Sequence, residues 1–588
     1  MKKGFFTALF INLLIILLYT VVSLIFTDPL WKHFSEAIAG YGDVWTFYWS
    51  FWWLKKALTE LFTNPFYLNY IFYPNGTCIL LTETAVLHSI LSIPFQYLIG
   101  LIPSFNLFTL FSFVFSAWGT YLLVKYLTKN TLSSLMAGFI YGFWPWRMVK
   151  LNVGHHCLLC TEWIPFFVLF FIKIFEEEKR LNAFWAALFL ALTFYSEPTY
   201  FVFLILFGIF CFCVNLIKGF NHTVFKRLLV FSVATIILVS PMLLPMIYEM
   251  SAVEYSYRKT DRNESDLFSA DLISFLTPTY KHRFFAEQFE GVRKTFHFIL
   301  DENSMYMGWA VIIVGLMTII FVRDPKLILW KTAFVLFFIM ALGHTLHIFG
   351  KNVFPGIYLP YEYFFRLPFI NVSRAPSRIF VIAMLCFSII CGFGFNKFID
   401  YLYLQKKLKT WLIYLLLLPV FIFIFIDYFP NPSAISNPKQ IFYYYSLFAK
   451  DKEDYATLTL PANFRPEDLG GQTVSGKKTL VGFTARTPRS AKEFILKAPV
   501  LKNLTNPVWF DKFDRSEIQA GKKLLNHYKI RYIILHMQPY SNEPGKSNLN
   551  KHLALLKEIN ARKVFDDGKE MIFEIATEDN FFFKSPAN

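Results

Sequence analysis

The sequence predicts an α-helical polytopic membrane protein of about eleven transmembrane helices, with an extracytoplasmic α/β domain at its C-terminal end. Three observations carry that reading. Of the 588 residues, 55% are hydrophobic and only 17% are charged, whereas soluble chains carry about 25% charged residues. The apolar residues fall into long uncharged blocks, the pattern of spans rather than of amphipathic surface helices. Beyond a Pro/Asn/Ser-rich stretch, "DYFPNPSAISNPK", charged residues return and short strand-like runs begin.

The first block, Phe5 to Phe26, follows Lys2 and Lys3 and is 22 residues long. A signal-peptide core is about 7–15 residues and ends in a small-residue cleavage site; this block has neither feature and reads as a signal anchor. Ten more blocks follow, at 103–124, 131–146, 157–172, 181–196, 198–217, 228–247, 304–322, 332–350, 379–396 and 410–426. Several approach the lower spanning limit of about 17 residues. Polar residues at their outer ends must therefore reach the interface.

Segment 85–101, with His88, Pro94 and Gln96, is decided by parity. If it does not cross, the basic loops Lys125/Lys129, Lys173/Lys179/Arg180, Lys218/Lys226/Arg227, Arg323/Lys326 and Lys406/Lys407/Lys409 all lie inside with Lys2/Lys3, as the positive-inside rule requires. The segment is therefore read as two short helices at the outer interface. Loops 27–102, 248–303 and 351–378 then face outward. The net charge of +16 sets orientation through these loops and is not a nucleic-acid footprint. No internal repeat is evident, which weakens a transporter built on inverted repeats.

The chain divides into a transmembrane domain, 1–430, and an accessory α/β domain, 431–588. In the latter, 457–461, 531–536 and 570–576 read as strands, and 489–498, 514–527 and 548–561 as helices. Nothing in it resembles a nucleophile triad or a phosphate loop.

With this topology the ionisable residues near the membrane gather on the outer side: Asp43 and Glu83 in the first loop, Arg147, Lys150, His155, His156 and Glu162 around the second turn, then Glu197, Asp301, Glu302, Arg374 and Arg378. Charges at such depths are costly and commonly line a functional cavity. Simpler readings stand beside this one. Asp43 precedes a helix-like run and is a favoured N-cap residue; Arg147 and Lys150 can snorkel; Glu162 and Glu197 can be solvated turn residues; the tryptophans of "VWTFYWSFWW" can form an interfacial belt. Cys157 and Cys160 have metal-like spacing, but no second pair completes a four-ligand zinc site, so they read as small apolar residues at a helix start. Arg374 and Arg378 flank Pro376 at a helix N-terminus, where the dipole disfavours cations. An anion held by both guanidinium groups offsets that cost, and in an outer-leaflet cavity a lipid-linked phosphate suits it.

"GDVWTFYWSFWW", "YIFYPNGT", "GHHCLLCTEWIPF" and "LPFINVSRAPSR", with the succession of anchor, outer loop and further spans, resemble the GT-C superfamily of membrane glycosyltransferases that use polyprenyl-phosphate sugars, and within it a poorly characterised microbial group. The resemblance spans most of 1–400 and extends weakly into "GGQTVSGKKTLVGFTAR". It implies a multi-pass plasma-membrane enzyme, a hexosyl- or pentosyltransferase of the cell envelope. Its donor would be a polyprenyl-phosphate sugar, its acceptor an extracytoplasmic glycan, lipid or protein, with membrane lipids its other partners and nucleic acid none. It implies Asp43 as the general base of an inverting transfer and Glu83 as a second acid. Arg374, Arg378 and Arg147 would bind the donor phosphate, and Trp49, Trp53, His155, His156, Glu162, Glu197 and Glu302 would line the substrate cavity. The paired acidic motif of many relatives is here a single acid in Gly42-Asp43-Val44, so a divalent cation, Mg or Mn, stays open as a cofactor. The alternative is a non-enzymatic exporter of lipid-linked glycans or a membrane assembly protein, with the arginines gripping lipid phosphate and Asp43 as a cap.

Overall fold

Each of the eleven apolar blocks overlaps a helix in the computed structural model, which describes residues 2–217, 219, 221–251, 260–296, 299–367, 374–462, 465–484, 487, 489–505 and 514–575. Among the described residues, seven helices are long and apolar enough to cross a membrane: Phe6–Phe26, Leu101–Thr128, His156–Glu176, Pro198–Ile217, His222–Ser251, Pro376–Gln405 and Thr410–Tyr428. The others, Thr131–Phe143, Leu181–Ser196, Trp309–Phe321 and Lys326–Ala341, are shorter. The protein is a polytopic α-helical membrane protein. Phe380–Asp400 is buried along most of its length and forms the centre. Lys2–Phe26, His222–Ser251 and Thr410–Tyr428 expose many large apolar side chains, as lipid-facing helices do.

The structure moves several expected boundaries, each for a local reason. The block 131–146 ends as a helix at Phe143, because Trp144 is extended and Pro145 opens a new short helix, Pro145–Asn152. The block 157–172 is broken: His156–Leu159 is a single turn, and the helix resumes at Trp163. Broken backbone at membrane depth persists only where protein satisfies it. The block 304–322 becomes helical only at Trp309. Gly308 has φ +90° there, a backbone that favours glycine, and a Cβ on it would lie 2.5 Å from the Tyr428 ring. The block 332–350 is displaced toward the N-terminus: the helix is Lys326–Ala341, and His347–Ile348 pairs with Lys351–Asn352 as a two-stranded hairpin. Segment 85–101 is a pair of short helices, Val86–Leu91 and Ile93–Ile99.

The chain forms two compact units. The first holds residues up to Tyr41, Ala85–Tyr248 and the run ending at Ser436. In it, Ile38–Ala39 pairs antiparallel with Ile435–Ser436. The second holds Gly42–Thr84 and the run from Asn437 onward, so part of the loop after the first apolar helix folds with the tail.

The second unit is built on a five-stranded mixed sheet. Its order is Ala561–Asp566, Glu570–Ile575, Ile530–His536, Ala456–Leu460, Lys478–Thr479. The first two junctions are antiparallel and the last two parallel. Leu458 lies opposite Ile533. The strand Ile530–His536 is buried along almost its whole length, as a strand covered on both faces must be. Helices Arg489–Lys497, Arg515–His527 and Glu543–Glu558 supply Ile495, Leu525, Leu555 and Leu556 to its core. The third begins earlier than expected because Asn542 caps it, its Oδ1 accepting from Gly545 N at 2.9 Å. It also ends earlier, since Ala561 already starts a strand.

Candidate functional site

Asp43 stands directly before the helix Val44–Lys55, in the second unit, after Gly42 with φ +63°. Its backbone is helical and its carboxylate makes no capping hydrogen bond, so the N-cap reading does not describe it. The helix that follows is an anchoring element. Trp49 Nε1 donates to Gln472 Oε1 at 2.6 Å, Trp53 Nε1 donates to Pro65 O at 2.8 Å, and the two indoles stack at 5.9 Å. Trp45 meets Phe442 edge-on at 4.9 Å. Trp49 and Trp53 are each 2% exposed, so interior packing replaces the interfacial-belt reading for these two indoles. The partner helix, Pro466–Ser475, is not expected from the sequence because "PEDLGGQTVS" is poor in helix formers. Its glycines are what admit the aromatic face: a Cβ on Gly470 would lie 2.8 Å from Trp45. Gln472 also donates to Tyr70 O at 2.6 Å, and the 70–73 backbone pairs with Thr479. Glu83 lies half-buried in the loop that ends this segment.

In the first unit, the ionisable residues expected to gather near the membrane separate into two buried clusters. The first centres on Glu302, 1% exposed. Its Oε1 is 3.0 Å from Lys150 Nζ and 3.0 Å from Arg378 NH2, and its Oε2 accepts from Ser377 Oγ at 3.2 Å. Burial by itself would raise this carboxyl. Lys150 and Arg378, with His155 adding to the field, outweigh burial and hold it well below the usual carboxylate range. Lys150 also donates to the Asp301 carbonyl at 3.1 Å, while Asp301 Oδ1 accepts from Tyr280 at 2.8 Å.

The expected arginine pair is therefore split. Residues 376–379 form a 3₁₀ turn rather than an α-helix. Arg378 points inward to Glu302. Arg374 keeps its side chain 33% exposed, over the Phe268 ring at 4.9 Å and 3.9 Å from Glu264.

The second cluster joins Arg147, Ser112, Glu162, His88, His156 and Cys160. Arg147 is fully buried. It donates to the carbonyls of Gly142 and Leu159, both at 2.8 Å, and to Ser112 Oγ at 3.1 Å, with its guanidinium over Phe113. Burial pushes its pKa down to about 10, against the pull of Tyr141 and Glu162. A guanidinium enclosed by carbonyls braces the broken helices, and a side chain buried in this way does not snorkel. Glu162 is also fully buried, its Oε2 accepting from Ser112 at 2.9 Å and its Oε1 2.9 Å from His88 Nε2, so it is no solvated turn. Glu197 likewise is 3% exposed, and its Oε1 accepts from Thr199 N at 3.0 Å where the next helix starts.

Sequence reasoning misses His88 and Ser112 as members of this cluster. His88 is visible as the lone histidine of 85–101, but the fold alone reveals its partners. Its Nδ1 lies 3.0 Å from His156 Nε2 and 3.4 Å from Cys160 Sγ. Among the described residues this is the one group in which three His, Cys, Asp or Glu donors come within ligand distance. Mg or Mn prefers oxygen donors, and Asp43 and Glu83 belong to no such group among the described residues.

Similarity to solved structures is low in identity and long in coverage. ArnT from Cupriavidus metallidurans bound to undecaprenyl phosphate aligns over 97% of this chain and 98% of its own, at 8% identity and TM-score 0.51. Arabinofuranosyltransferase AftD from Mycobacteria aligns over 96% of this chain, at 11% identity and TM-score 0.54. This chain spans 42% of the AftD length. The fold is that of the GT-C membrane glycosyltransferases. No curated protein matches in sequence. The family described as "Domain of unknown function (DUF6311)" matches residues 13–421, more than half of the chain, and the protein belongs to that family.

Proposed function

We propose that this protein transfers a hexosyl or pentosyl group from a polyprenyl-phosphate donor to an acceptor hydroxyl outside the cell, with inversion. The observation that carries the proposal is the GT-C fold running through 97% of the chain, in common with a structure that holds undecaprenyl phosphate. The placement of Asp43 supports it: the residue follows a glycine turn in the loop after the first membrane helix and stands at the start of the helix Val44–Lys55.

In this reading the acceptor oxygen attacks the anomeric carbon as the bond from that carbon to the phosphate oxygen breaks. The bonding pair leaves with the phosphate, and the hydroxyl proton passes to Asp43, with Glu83 the second acid. One displacement needs no covalent nucleophile, consistent with the absence of a triad motif from the sequence. The departing phosphate gains negative charge, so a nearby cation lowers the barrier. Arg374 suits that role because its guanidinium is partly exposed, whereas Arg378 is engaged by Glu302 and positions the turn. The tail and the first outer loop face the extracytoplasmic side in this reading.

The test is transfer by purified full-length protein from a lipid-linked donor, with donor binding measured in parallel. Asn is nearly isosteric with Asp but cannot take the proton, so Asp43→Asn should lower transfer by about 10²–10⁴-fold with binding retained. Full transfer by this variant would remove Asp43 as the base. Absence of transfer by the wild type across polyprenyl donors, with binding intact, would favour an exporter.

A further inference from the structure

We propose that His88, His156 and Cys160 bind a zinc ion that fastens the short outer helix Val86–Leu91 to the broken helix His156–Glu176. The donors come from separate elements: His88 from the loop helix, His156 from the single turn His156–Leu159, and Cys160 just after it. All three are buried. Zn–N bonds of about 2.0–2.1 Å and a Zn–S bond of about 2.3 Å imply tetrahedral edges of about 3.3 Å between nitrogens and about 3.5 Å between nitrogen and sulfur. The structure has 3.0 Å from His88 Nδ1 to His156 Nε2 and 3.4 Å from His88 Nδ1 to Cys160 Sγ. Both distances are within a few tenths of an ångström of the zinc edges, and all three donor atoms lie within 4.8 Å of one another.

The surroundings carry the argument further. A metal-bound histidine usually gives its other ring N–H to a carboxylate or similar acceptor, which fixes the tautomer and raises the basicity of the ligand. His88 has that arrangement: its Nε2 faces Glu162 Oε1 at 2.9 Å, and Glu162 is held by Ser112, itself held by Arg147. With Nε2 protonated toward Glu162, the Nδ1 lone pair is directed at His156 and Cys160. On the other ring, His156 Nδ1 lies 3.4 Å from Thr109 Oγ1, an acceptor for its N–H once Nε2 is a ligand. Two imidazoles and a thiolate suit zinc and exclude the hard cations. One coordination position remains for a water. Binding exchanges the Cys160 thiol proton for the metal and releases it to solvent, so apparent affinity rises with pH.

The experiment is elemental analysis of the full-length protein in detergent after dialysis against a weak chelator. The wild type should retain close to one zinc per chain. Cys160→Ser and His156→Ala should fall to background, and Glu162→Gln should bind about 10–100-fold more weakly. To guard against misfolded variants, the wild type alone is stripped and reloaded with cobalt, which should give a thiolate-to-cobalt charge-transfer band. Background zinc and no such band in the wild type would overturn the proposal. So would equal zinc content in wild type and Cys160→Ser, or unchanged affinity in Glu162→Gln.

Discussion

Glu302→Gln offers the sharpest test of how the first unit is held together. Glu302 is 1% exposed and is the shared carboxylate for Lys150 and Arg378, each 3.0 Å from Oε1. Gln keeps the volume and one acceptor oxygen but removes the charge, leaving two buried cations without their common anion. Breaking a buried ion pair by removing one partner costs about 3–5 kcal/mol. The coupling of two cations to one carboxylate puts this site toward the upper part of that range. The pH dependence has a definite sign. The folded carboxyl is held well below its ordinary value by Lys150 and Arg378 against the opposing effect of burial. Its contribution is therefore present above the unfolded value of about 4.3 and is lost as pH falls through the lower folded value. The stability gap between wild type and variant should thus be constant above about pH 5 and close only in strong acid. Thermal unfolding in detergent, scanned at several pH values, measures it. A gap below about 1 kcal/mol at neutral pH would refute the reasoning and mean that the cluster is hydrated.

Four further outcomes follow from the same geometry. Arg378→Gln should destabilise the protein, whereas Arg374→Gln should leave the melting temperature near wild type and weaken polyprenyl-phosphate binding. A charge-assisted hydrogen bond is worth about 1.5–3 kcal/mol, and a calorimetric titration separates the two variants. Gly470→Val should expel the Trp45 ring and uncouple the loop helix within the second unit, read as increased proteolysis between residues 42 and 84. His536 is set between Glu570, at 2.6 Å, and Asp468, at 3.9 Å. These carboxylates overcome burial and raise its pKa to about 9. Its contribution is then complete below the unfolded value of about 6.5 and lost as pH rises through about 9, a span worth up to about 3 kcal/mol; His536→Gln should flatten that slope in unfolding curves. Finally, a reporter fused after Asn130 should read cytoplasmic and one after Lys439 extracytoplasmic, and the reverse for the second would mean that 85–101 crosses.

The sequence by itself determined the helical membrane class, the positions of the eleven apolar blocks, the pair of short helices at 85–101, and three strands and three helices of the tail. These are local properties. An uncharged run long enough to span lipid must satisfy its own backbone and becomes a helix, and a β-branched run such as "RYIILH" becomes a central strand. What it missed locally was weakly encoded. The edge strand Ala561–Asp566 is charged and partly exposed, and the helix Pro466–Ser475 is glycine-rich. Tertiary structure alone decided the partners of each polar residue. Arg147 and Arg378 look alike in sequence, each a basic residue two positions after a proline. One is enclosed by carbonyls and the other is matched by a glutamate 76 residues away. His88 has no signature until the chain brings it to residues 68 and 74 positions further on. Burying a charge requires a partner, and that partner comes from whichever element packs there, which no spacing along the chain records.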